Sequence, residues 1–255
     1  MFENIEKSHP ADCFLYTDSV PSVWCPGCGI GTVINTFIQA VEKSSFSSDK
    51  ICVVSGMGCT GKAAEYLKFN SFNKIDGNLI EYAAKFQNSD RKVVVFSNNA
   101  DFLVSGAKDL AETGKNGIEL LVIHVNNIIY TITEYKAIPN TPFVRTSADG
   151  NFELPFNIPH LAKECGATYV ARWTPLRAGW LMYSMIDTLS KRGFSVIEVI
   201  SPCLIYYPDS KRIGDAAELM KFYDDNSVIK HGEPTEDLDI RVRNKIILGK
   251  FVDKR

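Results

Sequence analysis

Short, nearly continuous runs of Val, Ile and Leu recur along the chain, each followed by a stretch with helical spacing. This alternation constrains the fold more than any other feature. The runs are Lys50–Ser55 (KICVVS), Arg91–Phe96 (RKVVVF), Ile118–Val125 (IELLVIHV, apolar except Glu119 and His124) and Gly193–Ile200 (GFSVIEVI). Gly31–Glu42 carries Val33, Ile34, Phe37, Ile38 and Val41 at helical intervals, and Leu79–Phe86, Gly106–Thr113, Ile158–Cys165 and Arg177–Arg192 read the same way. Strands apolar on both faces and joined by helices belong to a parallel sheet covered on both sides. The expected fold class is α/β, with a doubly wound, mostly parallel sheet. No linker divides residues 1–207. The charge-rich segment 208–255, with one apolar patch at Lys245–Val252, is expected to form an extended C-terminal arm that packs on a partner or on the body.

Charge and composition remove several classes of function. A formal net charge of -2 argues against a nucleic-acid partner, which calls for a basic face. With 45% hydrophobic residues the chain has enough apolar surface to fold. No apolar run approaches the roughly 18–20 residues of a membrane span, so no membrane partner is expected. The N-terminus, MFENIEKSHPADCF, is polar and acidic, unlike a secretory leader. A cytoplasmic protein is expected, and its 7 Cys are then reduced or bound to a metal.

In α/β sheets ligands bind just beyond the carboxyl ends of the strands, and four cysteines occupy such loops. Cys25 and Cys28 stand in WCPGCG, where Pro26 and Gly27 make a tight turn that points both sulfurs one way. Cys59 follows the first strand in SGMGCTGK, and Cys203 follows the last in SPC. Four thiolates from scattered loops suit zinc or an iron–sulfur cluster. A C-x-x-C pair alone is also compatible with thioredoxin-like redox chemistry, the other two cysteines then being packing. Cys52 and Cys165 fall inside apolar segments and read as core, and Cys13 stands alone. His124, at the end of an apolar strand, reads as a satisfied core or edge histidine.

Taken together, VPSVWCPGCGIGTVINTF, KICVVSGMGC, GATYVAR and GFSVIEVISPC resemble the β subunits of 2-oxoacid:ferredoxin oxidoreductases, the 2-oxoglutarate type above all. The likeness covers roughly residues 16–207, and Gly232–Val252 is similar to that family's tail. The resemblance implies a doubly wound domain of the thiamine diphosphate-binding type. It implies a [4Fe–4S] cluster on Cys25, Cys28, Cys59 and Cys203, and a partner α (or fused γα) subunit that completes the active site and supplies the carboxylate activating the cofactor. It also implies oxidative decarboxylation of a 2-oxoacid, with coenzyme A taking the acyl group and ferredoxin the electrons. For thiamine diphosphate and Mg2+ it points to Asn98, Asn127 and the Ile129 carbonyl, with Gly77, Tyr130 and Thr133 nearby.

Several motif positions depart from the family. The metal-binding Asp of its GDG loop falls on Asn98 in SNNAD, and the following Gly on Asn99. Asp101 lies three residues past Asn98. HVNNIIY keeps Asn127. The family's HGR reads Asp76-Gly77-Asn78, and its two glycines after Thr133 are Glu134 and Tyr135, followed by Lys136. An Asn offers a hard cation a neutral oxygen in place of a charged one. Two alternatives therefore stand beside a working catalytic β subunit: a cluster-carrying paralogue without thiamine diphosphate catalysis that serves electron transfer or assembly, and a zinc-stabilised structural protein.

Overall fold

The computed structural model describes residues 11–16, 24–74, 78–88, 90–101, 106–127, 129–130, 138–139, 157–203, 215–240 and 245–254. In chain order the elements are α1 (Gly29–Lys43), β1 (Ile51–Ser55), α2 (Gly58–Gly61), α3 (Ala63–Tyr66), β2 (Asn70–Asn73), α4 (Leu79–Ala84), β3 (Lys92–Asn98), α5 (Asn99–Asp101), α6 (Ala107–Lys115) and β4 (Leu120–Asn126). They continue with β5 (Ile129–Tyr130), β6 (Ile138–Pro139), α7 (Ile158–Glu164), β7 (Tyr169–Trp173), α8 (Ala178–Leu189), β8 (Ser195–Ile200), α9 (Ala216–Asp225), β9 (Ser227–Ile229) and β10 (Ile246–Asp253).

The main sheet has the order β2-β1-β3-β4-β8-β7-β10-β9. The six strands from β2 to β7 are parallel, and β10 runs antiparallel to β7. β1, β3, β4, β7 and β8 are buried along their whole length, as strands covered on both faces must be. One face packs against α1 and α8 through Val33, Ile34, Phe37, Leu181 and Met185. The other packs against α4, α6 and α7 through Leu79, Ile80, Leu110, Ile158 and Ala162. Each such large side chain contributes about 1.5–3 kcal/mol by leaving water. The sheet is thus doubly wound, as the alternation of segments implies.

The C-terminal segment packs on the chain's own body. β10 pairs with β7 and carries β9 as the outermost strand. α9 is started by Asp215, whose carboxylate accepts the Ala217 and Glu218 N–H groups while the Glu218 carboxylate accepts the Asp215 N–H. Among the described residues no helix is long and apolar enough to cross a membrane.

Candidate active site at the carboxyl edge of the sheet

Because β1, β3, β4 and β8 are parallel neighbours, the loops leaving them share one edge. Cys59 follows β1, Asn98 ends β3, Asn127 follows β4 and Cys203 follows β8. The CPGC turn joins them at the start of α1. Cys28 N–H donates to the Cys25 carbonyl at 2.9 Å, and Gly27 has φ +80°, so Pro26 and Gly27 are the two central residues of a tight turn. Gly at the second central position supplies the left-handed backbone that such a turn needs. The Trp24 indole N–H donates to the Cys59 carbonyl at 2.8 Å and ties this turn to the β1 loop. The Cys203 N–H donates to the Asn127 carbonyl at 3.0 Å and ties the β8 loop to the β4 loop.

The four loop thiols lie close enough to feel one another. Burial pushes the Cys28 thiol up to about 11. The Ile30 N–H opposes that shift, and the nearby Cys59, Cys203 and Cys25 add to it. Cys59 is also raised, by burial first and then by Cys203 and Cys25. Such a shift favours the neutral thiol. All seven cysteines are free, and Cys13, Cys52 and Cys165 do not enter this mutual group. Among the described residues no three His, Cys, Asp or Glu side chains close into metal-ligating geometry. The four thiols are therefore neighbours rather than a finished ligand shell.

The loop after β3 is arranged differently. The Asn98 side-chain NH2 donates to the Met57 carbonyl and to Thr60 Oγ1, each at 2.6 Å. A carbonyl can only accept, which fixes the orientation of the amide. Its oxygen then faces its own turn and accepts the Ala100 N–H at 2.8 Å and the Asp101 N–H at 3.3 Å. The oxygen expected to face a cation thus closes α5. The Asp101 carboxylate accepts the Asn98 N–H at 2.9 Å and the Met57 N–H at 3.0 Å. Burial pushes Asp101 up to about 6, against the pull of those two bonds. As it stands, Asn98 does not fit a Mg2+ ligand.

Beneath this loop a polar rung crosses four strands. Ser97, His124, Glu198 and Arg172 are register partners on β3, β4, β8 and β7, and none is more than 1% exposed. Glu198 accepts Arg172 Nε at 2.6 Å and the Asn126 side-chain NH2 at 2.8 Å. The rest of the order follows, since a carboxylate only accepts. The Asn126 oxygen faces Asn99, whose NH2 donates to it at 2.9 Å. The Asn99 oxygen faces His124 Nε2 at 3.0 Å, so Nε2 carries the proton and Nδ1 accepts from the Ser97 hydroxyl at 3.1 Å. Burial lowers the His124 pKa to about 4, in keeping with a neutral ring, and Glu198 pulls the other way. The Arg172 Nη1 group donates to the Leu238 carbonyl at 2.7 Å, which anchors the C-terminal segment.

Asn127 is half-buried beside this network. Asn78 begins α4 in the left-handed region at φ +48°. Gly77 and Thr133 lie outside the described residues, as do Asp76, Glu134, Tyr135 and Lys136. Only the backbone of Ile129 and Tyr130 is described, paired with Ile138 and Pro139. Sequence reasoning does not reach Asn126, Glu198, Arg172 or Ser201 as parts of this edge. A charged residue inside each of two otherwise apolar strands is the available signal.

Comparison with known proteins agrees with this architecture. Residues 80–199 match the family described as thiamine pyrophosphate enzyme, C-terminal TPP binding domain. The 2-oxoglutarate synthase subunit KorB of Methanothermobacter marburgensis is 35% identical over 97% of this chain and 88% of its own length. The subunit of the same name from Methanocaldococcus jannaschii is 33% identical over 96% of this chain and 92% of its own. The solved 2-oxoglutarate:ferredoxin oxidoreductase of Magnetococcus marinus superposes with a TM-score of 0.79, covering 100% of this chain and 88% of that one at 21% identity, and shares the fold. That structure has 2-oxoglutarate, coenzyme A and succinyl-CoA bound. By its likeness to the KorB subunits across nearly its whole length, this chain belongs to the family of 2-oxoacid:ferredoxin oxidoreductase β subunits.

Proposed function

We propose that the chain is the β subunit of a complex that oxidatively decarboxylates a 2-oxoacid, 2-oxoglutarate being the substrate its relatives' names carry. In this reading an α (or fused γα) subunit completes the site, coenzyme A receives the acyl group and ferredoxin the electrons. When bound, thiamine diphosphate supplies the carbanion chemistry of decarboxylation, and a [4Fe–4S] cluster supplies one-electron acceptance. The chain's own residues position both. Cys25, Cys28, Cys59 and Cys203 would be the soft donors for iron, and the hydrogen bonds that tie the CPGC turn to the Cys59 loop and the Cys203 loop to the β4 loop, gathering the four at one sheet edge, are the observation that carries this reading. Asn127 and the Ile129 carbonyl, beyond β4, are the residues that would hold the cofactor. Asn98 and Asp101 fix the Gly56–Gly58 loop through Met57.

The test is the complex co-expressed with its α subunit and handled without oxygen. Reduction of ferredoxin should depend on both 2-oxoglutarate and coenzyme A, and the isolated chain should show none. A complex loaded with cluster and thiamine diphosphate that turns over no 2-oxoacid would sink the proposal.

A further inference from the structure

Arg172, Glu198, Asn126, Asn99, His124 and Ser97 form one hydrogen-bonded line beneath the carboxyl edge of the sheet, and the line has a direction. At one end a guanidinium only donates and a carboxylate only accepts. At the other a hydroxyl can do either. The two amides and the neutral imidazole between them each have one donating and one accepting side. Their orientation is therefore decided at the charged end. None of the six side chains is more than 2% exposed. Bulk water does not stand in for a misdirected partner there, and two donors or two acceptors set face to face leave both groups unpaired.

The line also joins distant parts of the chain. Arg172 Nη1 donates to the Leu238 carbonyl at 2.7 Å, so the charged end is held by the C-terminal segment. Asn99 follows Asn98 in the loop after β3, and Asn126 precedes Asn127 at the end of β4. The Asn126 carbonyl accepts the Ser201 N–H at 2.9 Å, which brings in the loop after β8.

We propose that this rung is a polarity relay: Glu198, held by Arg172, is the positioning residue that fixes the direction of the Asn126 and Asn99 amides beneath the loops after β3 and β4 and, through them, which nitrogen of His124 carries the proton. The relay needs neither a cluster nor thiamine diphosphate to operate. Its consequence is a change at a distance. Glu198→Gln replaces one of two acceptors with a donor. Arg172 cannot accept, so the oxygen of the new amide stays on Arg172 Nε and its NH2 faces Asn126. Asn126 then turns its oxygen to that group and its NH2 to Asn99. Asn99 turns likewise and presents its NH2 to His124 Nε2. Nε2 becomes the acceptor, and the single ring proton moves to Nδ1, where the Ser97 hydroxyl accepts it. Adding Asn126→Asp puts an acceptor-only group one link further along. That group accepts from the new amide on one side and from Asn99 on the other, which returns the proton to Nε2.

The experiment uses the full chain with isotopically labelled histidine, read by nitrogen NMR at neutral pH. The chain has 4 histidines, and loss of signals in His124→Gln identifies those of His124. The shift of each ring nitrogen and its coupling to an attached proton show which one is protonated. Wild type should carry the proton on Nε2. Ser97→Ala should leave it there, because the hydroxyl does not set the direction. Glu198→Gln should move it to Nδ1, and Glu198→Gln combined with Asn126→Asp should return it. A merely structural role for Glu198 would loosen the fold without moving this proton between nitrogens. A wild-type proton on Nδ1 would overturn the relay. So would a Ser97→Ala protein that moves it, a Glu198→Gln protein that keeps it on Nε2, or a double variant that matches the single one. If either Glu198 variant does not fold, wild type and Ser97→Ala decide between a tautomer set from the charged end and one set locally by the hydroxyl.

Discussion

Two stretches of the same sheet edge, the cysteine loops and the loop after β3, treat their polar groups in opposite ways. Around the CPGC turn thiols are raised by burial and by one another, and Ser201 keeps a buried hydroxyl without a partner among the described residues. In the loop after β3 both ends of the Asn98 amide are engaged. The Asp101 carboxylate takes two backbone donors, and Asn99 is locked into the rung below. The groups of the loop after β3 satisfy one another, while in the rung below it the Arg172 Nη2 is buried without a partner among the described residues. By the resemblance, the four loop cysteines match the family's cluster ligands and Asn98 stands where its metal aspartate is expected. The amide of Asn98 points inward, and its oxygen closes the turn.

The largest effect separating the two regions is all-or-none. Replacing any one of Cys25, Cys28, Cys59 or Cys203 with Ala should abolish stoichiometric iron and sulfide in the purified complex and leave it colourless. The same change at Cys13, Cys52 or Cys165 should leave both intact. Iron and acid-labile sulfide assays decide. A colourless wild-type protein holding zinc would break the comparison at its first term.

Next in size is the buried ion pair that closes the second region. Arg172 and Glu198 are each 1% exposed at the side chain and meet at 2.6 Å. Arg172→Met removes the charge and leaves Glu198 uncompensated in the sheet, which costs about 3–5 kcal/mol when a buried pair loses one member. Adding Glu198→Gln to that variant should recover part of the loss, because Gln still accepts from Asn126 without burying a charge. Urea unfolding midpoints read both. A loss below about 1 kcal/mol would mean that the rung is hydrated and not closed.

How much of each region is legible in the sequence differs along the same line. β1, β3, β4 and β8 are legible because their apolar runs are unbroken, and the helices covering them because of their spacing. β7 has no such run, since Arg172 interrupts YVARW, and that charge is met by its register partner Glu198 and by the Leu238 carbonyl. β2, with the sequence NSFN, is an edge strand held by backbone pairing with β1 and has no apolar signature. The Asp215…Glu218 pair is a readable start signal for α9, but lies in a segment whose charge suggests an arm. The rung is out of reach of any local pattern. Ser97, His124, Arg172 and Glu198 are brought together only by parallel register. The cysteine loops are legible because turn chemistry and resemblance agree there. The inward turn of Asn98 depends on Met57 and Thr60, about forty residues away, and substitution at the site alone does not show it.

A third effect comes from two buried titrating groups that oppose one another. Asp101 is raised from 3.8 to about 6, chiefly by burial, so its contribution to stability is full below pH 3.8 and is lost as pH rises toward 6. His124 is lowered from 6.5 to about 4, again chiefly by burial, so its contribution is full above pH 6.5 and is lost as pH falls toward 4. Each amounts to about 3 kcal/mol, because a tenfold change in proton affinity is worth roughly 1.4 kcal/mol. Between pH 4 and 6 the two slopes cancel, and the cofactor-free chain should change little from these groups. Asp101→Asn should expose the histidine slope, with stability falling on acidification. His124→Gln should expose the opposite slope, with stability rising. Denaturant unfolding across that range measures all three proteins. Parallel slopes in the two variants would show that these groups are open to water, and the second region would lose its closed character.

The smallest effect bears most directly on the comparison. Asn98→Asp restores the family's metal ligand in name, but here it replaces two donors with an acceptor. The new oxygen faces the Met57 carbonyl, which cannot donate, and adds a second negative charge beside Asp101. Thr60 can reverse its hydroxyl and donate, so one of the two lost contacts is recoverable. The expected cost in the cofactor-free chain is about 1–2 kcal/mol at neutral pH, that of leaving one buried acceptor unmatched. Crowding of the two carboxylates raises the variant's folded pKa values, so its deficit should shrink as pH falls through them. Thermal unfolding is then repeated with Mg2+ and thiamine diphosphate present. An Asp variant as stable as wild type without cofactors would mean that the amide is not fixed by Met57. Selective stabilisation of the Asp variant by the cofactors would show that the loop opens to a cation when given the charge to hold one. Equal stabilisation of both proteins would place cofactor binding on the β4 side of the edge, around Asn127, and leave the loop after β3 as its fixed wall.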